Sequence, residues 1–113
     1  MKIITWLWKQ KTARFEYTTD HVNAWAEAMR ANCTRDVTFA CVTDQPEGLL
    51  DWIEAIPLPQ DFCNVKTKVW GEYKGLPQCY KRIAMFAPNA KDWIGADRWL
   101  SMDLDCVVTG NID

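Results

Sequence analysis

Lys2-Ile3-Ile4-Thr5-Trp6-Leu7-Trp8, then Asp20 to Asn32, then Val37-Thr38-Phe39-Ala40-Cys41-Val42 is the succession that decides the fold. The first stretch is rich in β-formers, is bounded by the polar Lys9-Gln10-Lys11-Thr12, and reads as a strand. In the second, Val22, Trp25, Ala26 and Met29 recur at helical spacing with Thr18, Thr19 and Asp20 available as caps, which predicts a helix. The third is again β-rich and ends at Thr43-Asp44-Gln45-Pro46, where Pro46 can open a short helix through Leu49, Leu50 and Ile53.

Further along, Ala55-Ile56-Pro57-Leu58-Pro59 is too rich in proline for a central strand and reads as an edge strand or extended loop. Asp61 to Leu76 holds Gly71 and Gly75 and no sustained period, so it is expected to be the longest irregular, mobile loop. Pro77 then introduces a helix with Tyr80, Ile83, Ala84 and Ala87 on one face and Lys81 and Arg82 on others, stopped by Pro88. A last strand runs from Arg98 or Trp99 through Met102 and leads into Asp103 and Asp105. This order is that of βα units. Such units fold to a mostly parallel sheet with helices on both faces, here a three-layer, Rossmann-like α/β domain. No repeat or linker divides the sequence, so residues 1–113 are read as one domain. In such open sheets ligands bind at the carboxyl ends of the strands. The residues expected there follow Trp8, follow Val42 (Asp44 among them), and form the group Asp103-Leu104-Asp105.

Composition narrows the function. The 113 residues carry 13 Lys+Arg against 15 Asp+Glu, a formal charge of −2, with 49% hydrophobic residues. A chain of this length buries roughly two thirds of its unfolded surface, enough for a core without disulfide or metal staples. Near-neutral charge without a Lys/Arg run gives no long-range field for nucleic acid or anionic lipid. No apolar stretch approaches the ~20 residues of a membrane span. The five cysteines (Cys33, Cys41, Cys63, Cys79, Cys106) are odd in number and lack a C-x-x-C pair. That fits neither a disulfide framework nor a zinc ribbon, and points to buried or inert thiols in a reducing cytoplasm, with Cys41 and Cys106 in apolar runs. His21, the single histidine, reads as a surface or cap residue. Of the seven tryptophans most are core residues, and Trp8 and Trp70 near loop ends are candidates to stack on a base or sugar. No glycine-rich phosphate loop is present.

Asp103 and Asp105 carry the chemistry. Residues i and i+2 of a strand share a face, so extended backbone through Asp105 would present two carboxylates in parallel. Hard carboxylate oxygens suit Mg²⁺ or Mn²⁺, which keep waters and complete their shell with substrate phosphate. The plain alternative is a solvated turn, since Asp is common there. A calcium EF-hand fails, because Val108 stands where its loop needs Gly.

The segment Cys79-Tyr80-Lys81-Arg82-Ile83-Ala84-Met85-Phe86, followed by Arg98-Trp99-Leu100-Ser101-Met102-Asp103-Leu104-Asp105-Cys106-Val107-Val108-Thr109-Gly110-Asn111-Ile112-Asp113, resembles the GT-A glycosyltransferases. It is most similar to the family-eight-like nucleotide-sugar transferases, in which a basic helix precedes a hydrophobic strand ending in Asp-x-Asp. Lys2-Ile3-Ile4-Thr5 and Val42-Thr43-Asp44 are more loosely similar to that family's nucleotide-facing strand ends. The resemblance implies that Asp103 meets ribose and metal, and that Asp105 ligates Mn²⁺ or Mg²⁺ under the diphosphate of a nucleotide-diphosphosugar such as a UDP-sugar. It implies further that Asp44 lies near the base and that Lys81 or Arg82 faces the phosphates or steadies the acids. The family continues into an acceptor-binding half with a late His or Asp ligand, whereas this sequence stops at Asp113. The expectation is therefore the nucleotide-binding half of the fold, truncated after the motif, with an exposed last strand that favours a homo-oligomer. Two rival readings remain. One is a haloacid-dehalogenase-like phosphatase with Asp103 as nucleophile and Asp105 as acid/base. The other is a non-catalytic α/β binding or assembly module.

Overall fold

A computed structural model of the chain describes residues 1–9, 15–61 and 78–113. Four strands, β1 (Lys2–Leu7), β2 (Thr38–Thr43), β3 (Ile53–Pro57) and β4 (Trp99–Ser101), form one sheet in the order β3-β2-β1-β4. Every adjacent pair is parallel. This is the α/β, Rossmann-like class that the strand and helix order implies, and β3, which starts at Ile53 and ends at Pro57 rather than running over Ala55–Pro59, is the outermost strand on its side among the described residues.

Register explains which residues are inside. Ile3, Phe39 and Ile53 stand in one row across three strands, as do Thr5, Cys41 and Ala55. On that face lies helix α1 (Thr19–Ala31), which contributes Val22, Trp25, Ala26 and Met29 to a core with Ile3, Leu7, Phe39, Cys41 and Ile53. Val22 and Met29 are wholly buried, and each such side chain contributes about 1.5–3 kcal/mol. Rows on the opposite face hold Ile4 with Ala40, and Trp6 with Val42 and Ile56, all of them buried. A strand buried on both faces needs no polar alternation, which is why β1 and β2 are continuous apolar runs. The polar exceptions in β1 are Thr5 and Lys2, whose ammonium reaches Glu54 Oε2 at 2.5 Å.

Helix α1 starts where the cap residues promised. Thr18 is its N-cap in extended backbone, and His21 Nδ1 accepts the Thr18 N–H at 3.0 Å, the reciprocal half of a capping box. His21 is thus a cap histidine, with its ring edge-on to Phe15 and Tyr17.

The short helix expected after Pro46 does not form. Two turns stand in its place, closed by Leu49 N–H to Pro46 O and Ile53 N–H to Leu50 O. Gly48 adopts φ +91°, outside helical space, and a Cβ there would meet Thr19 Oγ1 at 2.8 Å. Side chains of α1 fix this loop instead: Thr19 Oγ1 donates to Glu47 O, while Asn23 Nδ2 donates to Gly48 O and Asn23 Oδ1 accepts from Leu50 N–H. These bonds satisfy backbone groups that a helix would have paired internally.

The described residues group into two compact units, Met1–Leu58 with Ala96–Asp113, and Pro59–Gly95. In the second, Gln78–Phe86 is a 3-10 helix, where the sequence suggested an ordinary helix. Its pattern of three-residue hydrogen bonds carries past Pro88, with Ala87 N–H on Ala84 O and Ala90 N–H on Ala87 O. A further helix, α2 (Ala90–Ile94), ends at Gly95 with φ +68°. The loop expected over Asp61 to Leu76, the helix start at Pro77, and Trp70 lie outside the described residues, apart from Asp61.

Strand β4 stops at Ser101, one residue short of the expected end at Met102. Beyond the following turn the chain returns along the α1 face. Met102, Leu104, Val108 and Ile112 pack on the core, Ile112 N–H bonds Asn32 O, and the Asp113 carboxylate takes both the amide and hydroxyl of Thr34.

Candidate functional site

Strand order locates the crevice. From β1 the chain steps outward through β2 to β3, then crosses back to place β4 on the other side of β1. The direction of winding reverses between β1 and β4, and at such a switch point the connections after the two strands diverge and leave room for a ligand. Leu7, Thr43 and Pro57 end their strands level with one another. β4 ends level with Ile4, so Met102, which follows it, lies beside Thr5 within the length of β1.

The first of those residues is held firmly. Met102 N–H donates to Ile4 O at 2.9 Å, and Met102 O accepts the hydroxyl of the fully buried Thr5 at 2.9 Å. Trp6 Nε1 donates to Ser101 Oγ at 3.0 Å. Both backbone groups of Met102 are therefore paired, and Asp103 leaves the sheet from a fixed point.

Asp103 and Asp105 do not continue the strand. Cys106 N–H bonds Asp103 O at 3.2 Å and closes a turn over Asp103-Leu104-Asp105-Cys106. The expectation of two carboxylates on one strand face is corrected accordingly. Among the described residues β1 alone flanks β4, and an Asp at the first position of a turn is favourable, so local chemistry prevails over strand continuation. A four-residue turn brings its end Cα atoms within about 7 Å, so both carboxylates stay in one small region. Both aspartates are exposed while Leu104 between them points toward the core. Among the described residues no side chain pairs with the Asp105 carboxylate.

This donor set fits a hydrated divalent ion. Two exposed carboxylates offer oxygen only, and Mg²⁺ or Mn²⁺ is satisfied by one or two carboxylates when water and phosphate supply the rest. No third His, Cys, Asp or Glu joins them in a group able to cage a metal among the described residues. A cation at this turn would therefore depend on ligand oxygens for much of its shell.

The other candidate residues are distributed as follows. Asp44 follows β2 and is exposed, and its Oδ1 accepts the backbone N–H of Lys9 at 3.2 Å. It thereby ties the loop leaving β1 to the end of β2. Lys81 and Arg82 lie half-buried on the 3-10 helix of the second unit. Trp8 is buried, at 7% exposure, which removes its ring as a stacking surface. Sequence reasoning overlooked Thr5, because a β-branched residue inside a strand looks like any other β-former. The signal was the single hydroxyl in an otherwise apolar run.

The thiols divide by environment. Cys41 is buried in the core, and desolvation pushes its pKa up to about 12. Cys106, which its apolar run placed among the buried or inert thiols, is exposed, as is Cys79. The turn carries Cys106 outward once the strand has ended. Among the described residues no helix is long and apolar enough to cross a membrane. Comparison with known protein families, with characterised proteins and with solved structures finds no match to this chain.

Proposed function

We propose that this chain is a metal-dependent nucleotide-diphosphosugar-binding domain of a GT-A-type glycosyltransferase, taking a UDP-sugar with Mn²⁺ or Mg²⁺ in a reducing, cytoplasmic setting. One observation carries the reading: an exposed turn with two aspartates follows β4 directly, at the point where the order of the parallel strands reverses. Asp105 supplies a metal oxygen, and Asp103 supplies a second and reaches the ribose. Asp44 holds the β1 loop through Lys9 and keeps a second carboxylate oxygen for the base. When bound, the divalent ion neutralises charge on the departing diphosphate. Strand β4 has no outer neighbour among the described residues, so a second copy or a further strand can add there.

Calorimetric titration of UDP with and without Mn²⁺, repeated on Asp105→Asn, tests the reading. Binding should require the metal and weaken by about tenfold or more in the variant. Affinity indifferent to both would overturn it. Metal-dependent hydrolysis of a phosphomonoester, lost on Asp103→Asn, would instead establish the phosphatase reading.

A further inference from the structure

A concavity lies at the end of the sheet opposite the acidic turn. It is a half-open cleft of about 480 Å³ between the last turn of α1 and the start of β2, lined by Arg30, Arg35, Asp36, Val37, Phe39 and Trp52 among others. One wall is aromatic and rigid. Trp25 meets Phe39 edge-on at 6.2 Å, and Phe39 meets Trp52 edge-on at 5.5 Å, so the Trp52 ring is braced by the core. Arg30 lies over that ring, its guanidinium carbon 4.8 Å from the centroid. This cation–π contact engages the guanidinium through the ring face and leaves its N–H donors available.

Neither Arg30 nor Arg35 meets a carboxylate among the described residues, although Asp36 lines the same cleft. The end of a helix normally presents carbonyls that repel anions. Here three of those carbonyls are already occupied: Asn32 Nδ2 donates to Ala28 O, Asn32 N–H to Met29 O, and Cys33 N–H to Arg30 O. The neighbouring loop residue Thr34 already receives one carboxylate, that of Asp113, on its amide and hydroxyl. The cleft therefore offers two guanidinium groups, with the single carboxylate of Asp36 beside them, against an aromatic wall.

We infer that this cleft binds a small organic oxyanion, a phosphate or carboxylate carried on an aromatic ring, with Arg30 and Arg35 on the anion and Trp52 and Phe39 against the ring. The site is independent of the acidic turn and uses no metal.

Phenyl phosphate, benzoate and inorganic phosphate, titrated in chelator-treated buffer and followed by tryptophan fluorescence and calorimetry, test it. Phenyl phosphate or benzoate should bind at one site with Kd at or below ~1 mM, weakening about tenfold in Arg30→Gln and in Arg35→Gln with the far-ultraviolet circular dichroism unchanged. The two ring compounds tell phosphate from carboxylate recognition. If inorganic phosphate binds as well as phenyl phosphate, the role of the aromatic wall is overturned. Absence of saturable binding by either ring compound up to ~10 mM, or binding unaffected by both arginine substitutions, overturns the site itself.

Discussion

Thr5→Val removes a single hydroxyl from the sheet and nearly nothing else. Thr5 is wholly buried, and its hydroxyl is the donor on Met102 O at 2.9 Å. Valine keeps the branching that suits the strand and leaves the carbonyl unpaired. An acceptor left without its donor costs about 1–3 kcal/mol, and the added buried methyl returns about 0.8 kcal/mol. Because the bond is only part-buried, some of the carbonyl can rehydrate, and a net loss of about 1 kcal/mol is expected. Urea unfolding followed by tryptophan fluorescence should show the midpoint lowered at constant m-value, with Tm down by roughly 4–8 °C. The local consequence is more diagnostic. Met102 O anchors the chain just before the acidic turn, so hydrogen exchange at the Cys106 amide should quicken by more than the global loss explains. Thr5→Ser, which retains the donor, should lose stability through its missing methyl yet leave that local excess absent. Stability and exchange both equal to the parent would refute the claim that Thr5 anchors the turn.

Three further outcomes follow from the same structure. Gly48→Ala forces a side chain into φ +91° with Thr19 Oγ1 2.8 Å from the new Cβ, so it should destabilise by about 1–3 kcal/mol in the same unfolding assay. The hydrogen bonds from Thr34 hold the Asp113 carboxyl down at about 2 from its ordinary 3.8. Its stabilising effect is therefore present above 3.8 and lost as pH falls toward 2, and Asp113→Asn should remove that part of the acid dependence in pH-dependent unfolding. A thiol reagent applied to the folded protein near pH 8 should label Cys79 and Cys106 and spare Cys41, whose burial pushes its pKa to about 12, as peptide mapping by mass spectrometry would show.

The sequence made the sheet readable because β1 and β2 are buried on both faces, and burial writes itself as continuous β-rich apolar runs. Helix α1 was equally plain, since Val22, Trp25, Ala26 and Met29 form one stripe between a Thr cap and Asn32. Pro57 and Pro59 left an edge strand or an extended loop open, and β3, ending at Pro57, is the outermost strand on its side among the described residues. What stayed illegible depended on contacts distant in sequence. The loop after Pro46 is shaped by Thr19 and Asn23 reaching over from α1, a competition that local propensity cannot register. Helix α2 is too short to show a period. At the candidate site the residues were visible but their backbone was not: Asp103 and Asp105 looked like strand residues because apolar Leu104 separates them. Their turn goes with Asp's preference for a first turn position and with β4 having one neighbour, β1, among the described residues. Asp44 was legible as a residue at a strand end, whereas its bond to the Lys9 amide requires β1 and β2 to be neighbours.

The central claim is that the Asp103–Cys106 turn holds a divalent cation jointly with a diphosphate. Electron paramagnetic resonance of Mn²⁺ reads it most directly, because free hydrated Mn²⁺ gives a sharp signal that diminishes on binding. With protein and UDP together the free signal should fall well beyond the sum of the two separate effects, and Asp103→Asn/Asp105→Asn should restore it. A free-Mn²⁺ signal equal to that sum, or one unchanged by removing both carboxylates, would contradict the account.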